Sequence, residues 1–300
     1  MKYKEFFCIF LMALLLVPST NIHAKNNLHL EKELDWVQSK GWLKDLETKD
    51  LNKTLSYEDF GQIFYTIYHS NEDPSLKKMA KDIGQSQGIT WLKSLSLLGQ
   101  DQKGEDGLSR IESIYLLHGL YNRSNKSLDL NQDPNFTFTD YEKIKVQYKV
   151  PLAWVQKEKL FLGNERGEIL PESELSLGDL VQVLYRGKDL FEDISIVRPI
   201  YFQQDEINRI QMHSFEKLGM HLEYTGQDHI DNIRNALNSY QGQGIYQPSD
   251  GWTHSITVFT KRGDQYKFNV FEDTLDINGL IIKDPKNAQA YKNLEEYLLK

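Results

Sequence analysis

The chain has 300 residues, of which 40% are apolar and 26% are charged, and its formal net charge is −8 at pH 7. This acidic balance argues against nucleic acid or an anionic lipid surface as the main partner. The length is sufficient for two folded domains.

The N-terminus has the layout of a cleaved secretory signal. Lys2 and Lys4 precede an apolar run over residues 6–17, and residues 22–24 offer a small-residue exit. The run is too short to span a bilayer comfortably, so an uncleaved anchor is the lesser alternative. Cys8, the single cysteine, lies inside this run, and cleavage therefore removes every possibility of disulfide, thiol or cysteine-metal chemistry. We expect residues 1–24 to be a signal peptide of a secreted protein with no membrane span after cleavage.

Three copies of one pattern occupy residues 30–190. Each copy has a tryptophan in an apolar run, a polar connection, and then Leu-Ser-x-x-acid leading into a second apolar run. The tryptophan precedes the serine by 20, 18 and 22 residues in the pairs Trp36 and Ser56, Trp91 and Ser109, and Trp154 and Ser176. A repeat of this kind indicates units that bury their apolar faces only against one another.

The serine and the acid three residues later have the spacing of a helix capping box. The serine hydroxyl accepts from a backbone N–H of the first turn, and the acid reaches back to the N–H of the serine. Apolar residues follow at helical spacing, and Gly41 and Gly163 stand where the first helices of copies one and three should end. Each copy is therefore predicted to be a helix, a connection and a capped helix, with the caps Ser56/Asp59, Ser109/Glu112 and Ser176/Asp179.

Copy three resembles a repeat of the S-layer homology family. It has a Phe-x-Asp entry at residues 138–140, a helical run over residues 151–162, turn residues at 163, 167 and 171, and a capped run over residues 175–186. Copy one lacks the Phe-x-Asp entry, and copy two matches the family pattern least well. The resemblance covers residues 30–190 and implies a compact pseudo-threefold prism of helices.

The resemblance also implies a function. Members of the family hold extracellular proteins non-covalently to the pyruvylated secondary polysaccharide of a Gram-positive-type cell wall. An arginine directly after the cap contributes to their anionic sugar site, where a guanidinium can pair with a ketal carboxylate near a helix N-terminus. Here the three positions hold Tyr57, Arg110 and Leu177. Arg110 is therefore the predicted ligand residue, with Glu112 and Trp91 as further candidates.

Each of these assignments has a structural alternative. Arg110 can be an ordinary first-turn surface arginine, and the tryptophans can pack in the core instead of stacking on sugars. Because two of the three positions lack the cation, a scaffold or protein-interaction module without sugar binding is the alternative function.

Residues 199–300 predict a small α+β domain with an antiparallel sheet, so that the whole chain belongs to the class α + (α+β). Strands are expected over residues 206–215, 220–224, 253–260 and 265–271, with a helix over 228–240. The connection over residues 261–264 has the character of a hairpin turn, and Asn278-Gly279 marks a second one between strands 274–277 and 280–282. Pro285 is expected to open the final helix.

No enzyme active site is predicted. Four histidines of the C-terminal domain, His213, His221, His229 and His254, lack the His-x-x-x-His or His-Glu-x-x-His spacing of metal sites. No nucleophile elbow, phosphate loop or dinucleotide fingerprint occurs. We therefore expect a non-enzymatic protein without metal or cofactor, localised at the cell wall or cell surface, whose C-terminal domain contacts another envelope protein. A hydrolase remains an alternative only if the histidines converge.

Overall fold

The computed structural model of the chain describes residues 30–44, 46, 48, 50–69, 74–99, 101–126, 138–197, 200–202, 206–215, 219–242, 245–246, 252–277 and 280–298. The predicted signal peptide, including Cys8, and the Asn278-Gly279 turn lie outside these residues. Helices occupy the first two-thirds of the chain, and one antiparallel sheet with two helices occupies the last third. The predicted α + (α+β) class is confirmed.

Within the described residues, the first part of the chain forms α1 (Glu31–Ser39), α2 (Tyr57–Tyr68), α3 (Pro74–Asp82), α4 (Gln87–Ser94), α5 (Arg110–Asn122), α6 (Val146–Lys157), α7 (Leu177–Arg186) and α8 (Lys188–Phe191). The first helices of the three copies are α1, α4 and α6, and the capped second helices are α2, α5 and α7. All three capping boxes are confirmed, since each serine hydroxyl accepts from the N–H of its acid and each acid accepts from the N–H of its serine.

The ends of the first helices follow the prediction in copy one but not in copy three. Gly41, with a φ of 71°, follows Lys40, the C-cap of α1, so the helix ends close to the predicted position. In copy three, α6 begins at Val146, so Pro151 lies inside the helix, and it ends well before Gly163. Lys159, with a φ of 55°, follows the helix in the left-handed conformation, and Gly163, with a φ of 75°, lies in the connection beyond it. Helix α3 was not predicted, although Pro74 at its first position is a typical start signal.

The three copies close into a ring through the segments that precede their caps. The N–H of Leu55 donates to the carbonyl of Leu175, that of Leu175 to Leu108, and that of Leu108 to Leu55, at 2.9, 2.8 and 2.9 Å. The residues directly after the caps form a second cycle in the opposite direction, and they donate as follows: Tyr57 to Asp106, Arg110 to Ser173 and Leu177 to Lys53. Because each copy makes the same bonds to the next, the helical module has pseudo-threefold symmetry, and its helices surround one hydrophobic core.

The C-terminal domain contains the elements β1 (Ile207–Ser214), β2 (Met220–Tyr224), α9 (Gln227–Asn238), β3 (Ile245–Tyr246), β4 (His254–Thr260), β5 (Gln265–Phe271), β6 (Thr274–Ile277), β7 (Leu280–Lys283) and α10 (Asn287–Leu298). The sheet has the strand order β2-β1-β4-β5-β6-β7-β3 with antiparallel neighbours. Helices α9 and α10 cover one face, where Ile256 and Phe268 are fully buried, and mainly polar side chains occupy the other face. The final helix begins after Pro285 rather than at it.

The buried apolar residues fall into two clusters that divide along the chain. The first includes residues from Val37 to Ile194 and the second residues from Ile200 to Leu294. In the part of the chain that the structure describes, every helix is too short or too polar to cross a membrane.

Candidate functional site

The pseudo-threefold ring generates three equivalent positions, one beside the N-terminus of each capped helix. The residue directly after the cap serine is Tyr57 in copy one, Arg110 in copy two and Leu177 in copy three. In the first two cases this residue reaches the capping-box acid of the following copy. Tyr57 hydrogen-bonds to Glu112, and Arg110 pairs with Asp179. The chemistry around the two positions differs completely.

Arg110 lies in what we term the open groove, which Arg110, Phe161, Asp179, Gln182 and Arg186 line. Its Nη1 is 2.8 Å from Oδ1 of Asp179, and its Nε donates to the carbonyl of Ile169 at 2.9 Å. The guanidinium also lies over the ring of Phe161, 5.3 Å from its centroid. Two side-chain nitrogens and one face of the guanidinium are thus fixed by the protein, and the group is held at the groove in one orientation.

A second guanidinium lines the same groove. Arg186, at the end of α7, donates from Nη1 to the carbonyl of Leu160 at 3.0 Å and from Nη2 to Gln182 at 2.5 Å. Burial lowers the pKa of Arg186 from its ordinary value, although Glu33 and Asp179 raise it again. The groove measures about 240 Å³ and also contains Glu168. Its two cations and two carboxylates suit a polar ligand that both donates and accepts hydrogen bonds.

The equivalent groove between copies one and two, which we term the filled groove, is occupied by the chain itself. The β4–β5 turn of the C-terminal domain enters it, and Arg262 lies over the ring of Tyr115 with 4.0 Å from the guanidinium carbon to the ring centroid. The ring of Tyr148 lies 5.8 Å from the same carbon. Asp264 pairs with Nε of Arg262 at 3.2 Å and approaches the backbone at Gly99. The Arg262 side chain is only 13% exposed, so this groove is closed to ligands from solution.

The charges of the filled groove depend on one another. Burial raises the pKa of Tyr57, and the nearby Glu112 carboxylate, which accepts its hydrogen bond, raises it further. Burial also raises the pKa of Tyr115, and the negative charge of Glu206 raises it further. Burial alone would lower the pKa of Arg262, but the negative charge of the neighbouring Asp264 carboxylate helps to hold it above its ordinary value. The tyrosines therefore stay neutral and Arg262 stays charged.

Two further contacts join the helical module to the C-terminal domain beside this groove. The Tyr115 hydroxyl donates to the carboxylate of Glu206, whose backbone carbonyl accepts from the N–H of Lys261. Arg123, which is 2% exposed, donates from Nη2 to the carbonyl of Tyr201 at 2.8 Å. Sequence reasoning missed all of these residues, because pairs so distant along the chain leave no local pattern.

The third equivalent position holds a leucine in place of the arginine. Leu177 is fully buried, and the copy-one acid, Asp59, pairs with Lys53 of its own copy at 3.1 Å. The position after the cap thus has three different environments: an arginine at an open groove, a tyrosine under an inserted turn, and a leucine in the core.

The three predicted ligand residues do not come together. Arg110 lines the open groove, whereas Glu112 accepts from Tyr57 at the filled groove. Trp91 is 2% exposed and packs against Tyr65 and Tyr68, with ring centroids 5.8 and 5.6 Å apart. Trp91 therefore has the packing role that was the alternative to sugar stacking.

Of the four C-terminal histidines, two converge. His213 and His221 are directly opposite in the β1–β2 register. His254 is buried against Tyr291, with ring centroids 6.1 Å apart. His229 lies on α9, near Tyr224 of β2. Among the described residues, no group of three or more histidine, cysteine or acidic side chains is arranged to hold a metal ion.

Comparison with known proteins gave no assignment. No model of a known protein family matches the chain, and no curated protein matches it significantly.

Proposed function

We propose that this protein is a secreted, non-enzymatic component of a cell envelope whose open groove binds an acidic cell-wall polysaccharide. The C-terminal domain is then held at the surface, where it is available to another envelope protein. The observation that carries the proposal is the fixed guanidinium of Arg110 at an open groove beside the capped N-terminus of α5. The resemblance to S-layer homology repeats supplies the class of ligand.

A carboxylate is the ligand group that this arrangement favours. Arginine pairs with carboxylates through parallel N–H donors, and a helix N-terminus adds a positive partial charge. Asp179 already occupies Nη1 of Arg110, so a ketal carboxylate binds by sharing the guanidinium with Asp179. Arg186 compensates for the added negative charge.

The size of the groove supports recognition of a single sugar residue within a polymer. Pockets that enclose drug-sized ligands have volumes of about 300 to 1,000 Å³, and the open groove is smaller, at about 240 Å³. Since the described residues offer this one groove beside an arginine after a cap, we expect weak binding at each site and retention on the wall through the many equivalent sugars of the polymer.

Binding to purified Gram-positive-type sacculi, prepared with and without pyruvyl ketals, tests the proposal. We expect the protein to sediment with ketal-bearing sacculi, and Arg110→Ala to lower the affinity at least about tenfold, since hydrogen bonds to charged groups contribute about 1.5–3 kcal/mol. Arg110→Lys should be intermediate, because lysine keeps the charge but loses the fork of donors.

Arg209→Ala is the matched control. Arg209 also pairs with a carboxylate, Glu223 at 3.2 Å, and also covers an aromatic ring, that of Phe259 at 3.9 Å, but it lies on the sheet. Retention independent of the ketals, or equal in the Arg110 and Arg209 variants, would overturn sugar binding at this groove.

The alternative function is a protein-interaction module in which the repeats are a scaffold without sugar binding. It is favoured by the environments of Tyr57 and Leu177, since one equivalent position is closed by the chain itself and the other is in the core. The same experiment separates the two, because a scaffold remains in the supernatant whether or not the sacculi carry ketals.

A further inference from the structure

The strand register brings two histidines together on the open face of the sheet. His213 on β1 and His221 on β2 are direct cross-strand partners, and their ring centroids are 4.1 Å apart. Nδ1 of His213 lies 2.9 Å from Nε2 and 3.2 Å from Nδ1 of His221. Unlike His254, which is buried, His221 is exposed and both rings border a groove open to solvent.

These separations match those of two imidazoles on one metal ion. Nitrogens that bind a metal at about 2.0 to 2.1 Å, with an angle of about 90° to 109° between them, lie about 2.9 to 3.4 Å apart. The imidazole torsion about Cβ–Cγ is soft, so the ring of His221 can turn one nitrogen toward the ion without a change in the backbone. The strand of His213, β1, is paired on both sides, and the strand of His221, β2, is held in register by its ladder with β1.

We propose that His213 and His221 form a binding site for a first-row transition-metal ion such as Ni²⁺, Cu²⁺ or Zn²⁺. Imidazole is a ligand of these ions, whereas Mg²⁺ and Ca²⁺ take oxygen ligands. The nearby carboxylate of Glu223 is engaged by Gln211 at 2.6 Å and by Arg209 at 3.2 Å, so the described residues supply two ligands. The remaining coordination positions face the solvent side of the groove and are taken by water, which makes the ion exchangeable.

The spacing of the histidines along the chain did not indicate this site. A separation of eight residues matches no helical or loop metal motif, and the pair is formed only when β1 and β2 align His213 with His221. The proposal is independent of sugar binding, because the open groove lies in the helical module and the histidine pair lies on the sheet.

Titration of the metal-free protein with NiCl₂ tests the proposal, with a purification tag that contains no histidine. We expect one Ni²⁺ ion per chain, a higher melting temperature in its presence, and no effect of MgCl₂. His213→Asn and His221→Asn should each weaken Ni²⁺ binding at least about tenfold, since even the loss of an outer-shell partner costs about 10- to 100-fold in metal affinity.

His229→Asn is the control, because this histidine is also exposed and belongs to the same domain but lies on α9. It should bind Ni²⁺ as the unaltered protein does, and circular dichroism should show that all three variants are folded. The proposal is overturned if no saturable binding occurs, if either strand variant binds undiminished, or if all three variants lose binding equally.

Discussion

The open groove and the filled groove have the same backbone origin but opposite uses. Each lies beside a capping-box serine, and in each the residue after the cap reaches the acid of the next copy. At the open groove the guanidinium belongs to the repeat, as Arg110. At the filled groove the repeat supplies Tyr57, and the guanidinium of Arg262 comes from the other domain.

The comparison shows how one side chain changes what a repeated frame can bind. Six residues beyond the cap serine, the open groove has Gln182 where the filled groove has Tyr115. Gln182 lines a groove that is open to a ligand from solution. Tyr115 instead offers its ring face to the cation of Arg262 and its hydroxyl to Glu206. Copy two is therefore a point where the C-terminal domain attaches to the helical module.

The strongest test of this difference is removal of the inserted cation. Arg262→Ala should lower the free energy of unfolding by about 3 kcal/mol, because loss of one member of a largely buried ion pair leaves the other charge uncompensated. Urea denaturation measures the loss, and hydrogen exchange should locate the reduced protection at the β4–β5 turn and the N-terminal half of α5.

Arg209→Ala is again the matched control. Its ion pair is exposed, with 37% of the arginine and 47% of the glutamate side chain accessible, so we expect a loss of about 0–1 kcal/mol. Equal losses in the two variants would show that Arg262 has no special role in joining the domains.

Acid should weaken both grooves together, through the helix that they share. His118 in α5 is buried, and burial, followed by the charge of Arg123, lowers its pKa to about 3. The unfolded chain binds this proton near pH 6.5, so stability is full above that pH and is lost as the pH falls from about 6.5 toward 3. The loss due to this group approaches about 1.4 kcal/mol per pH unit.

Denaturation of the protein and of His118→Gln over this pH range provides the measurement. The variant should have a shallower dependence of stability on pH, because its side chain does not titrate. If the two slopes were identical, protonation of His118 would not contribute to acid unfolding.

The smallest effect is expected at the position after the cap itself. Tyr57→Phe removes the hydrogen bond to Glu112 and should destabilise the protein by about 1–2 kcal/mol, measured by denaturation. Tyr185→Phe on α7 is the control, since Tyr185 is half-buried against Trp36 and its change should remain within about 0.5 kcal/mol. A neutral Tyr57→Phe would show that the hydroxyl does not stabilise the filled groove.

Much of the local structure could be predicted from the sequence. The three capping boxes and most of the strands of the C-terminal sheet depend on residues that are close along the chain, and their patterns were sufficient. The end of α6 was mispredicted because Lys159 adopts a left-handed conformation that favours glycine. Nothing local distinguishes Lys159 from other lysines.

The candidate site was predictable only in part. Arg110 was identified by its offset from a cap, but its partners Asp179 and Phe161 come from another copy. The further candidates Glu112 and Trp91 belong to the same copy, but Glu112 lies at the filled groove and Trp91 lies in the core. Membership of one repeat does not place side chains in one groove, because each groove is shared between two copies.

The sequence by itself determined the elements of this protein: three capped helical repeats followed by an antiparallel sheet, since caps, periodicity and turns act over a few residues. Only the tertiary structure decided what the repeats do with their equivalent positions. The insertion of Arg262 between Tyr115 and Tyr148, and the pairing of His213 with His221, depend on how domains pack and strands align. The physical reason is that a buried charge or an imidazole pair is set by neighbours in space, which the order of residues along the chain does not reveal.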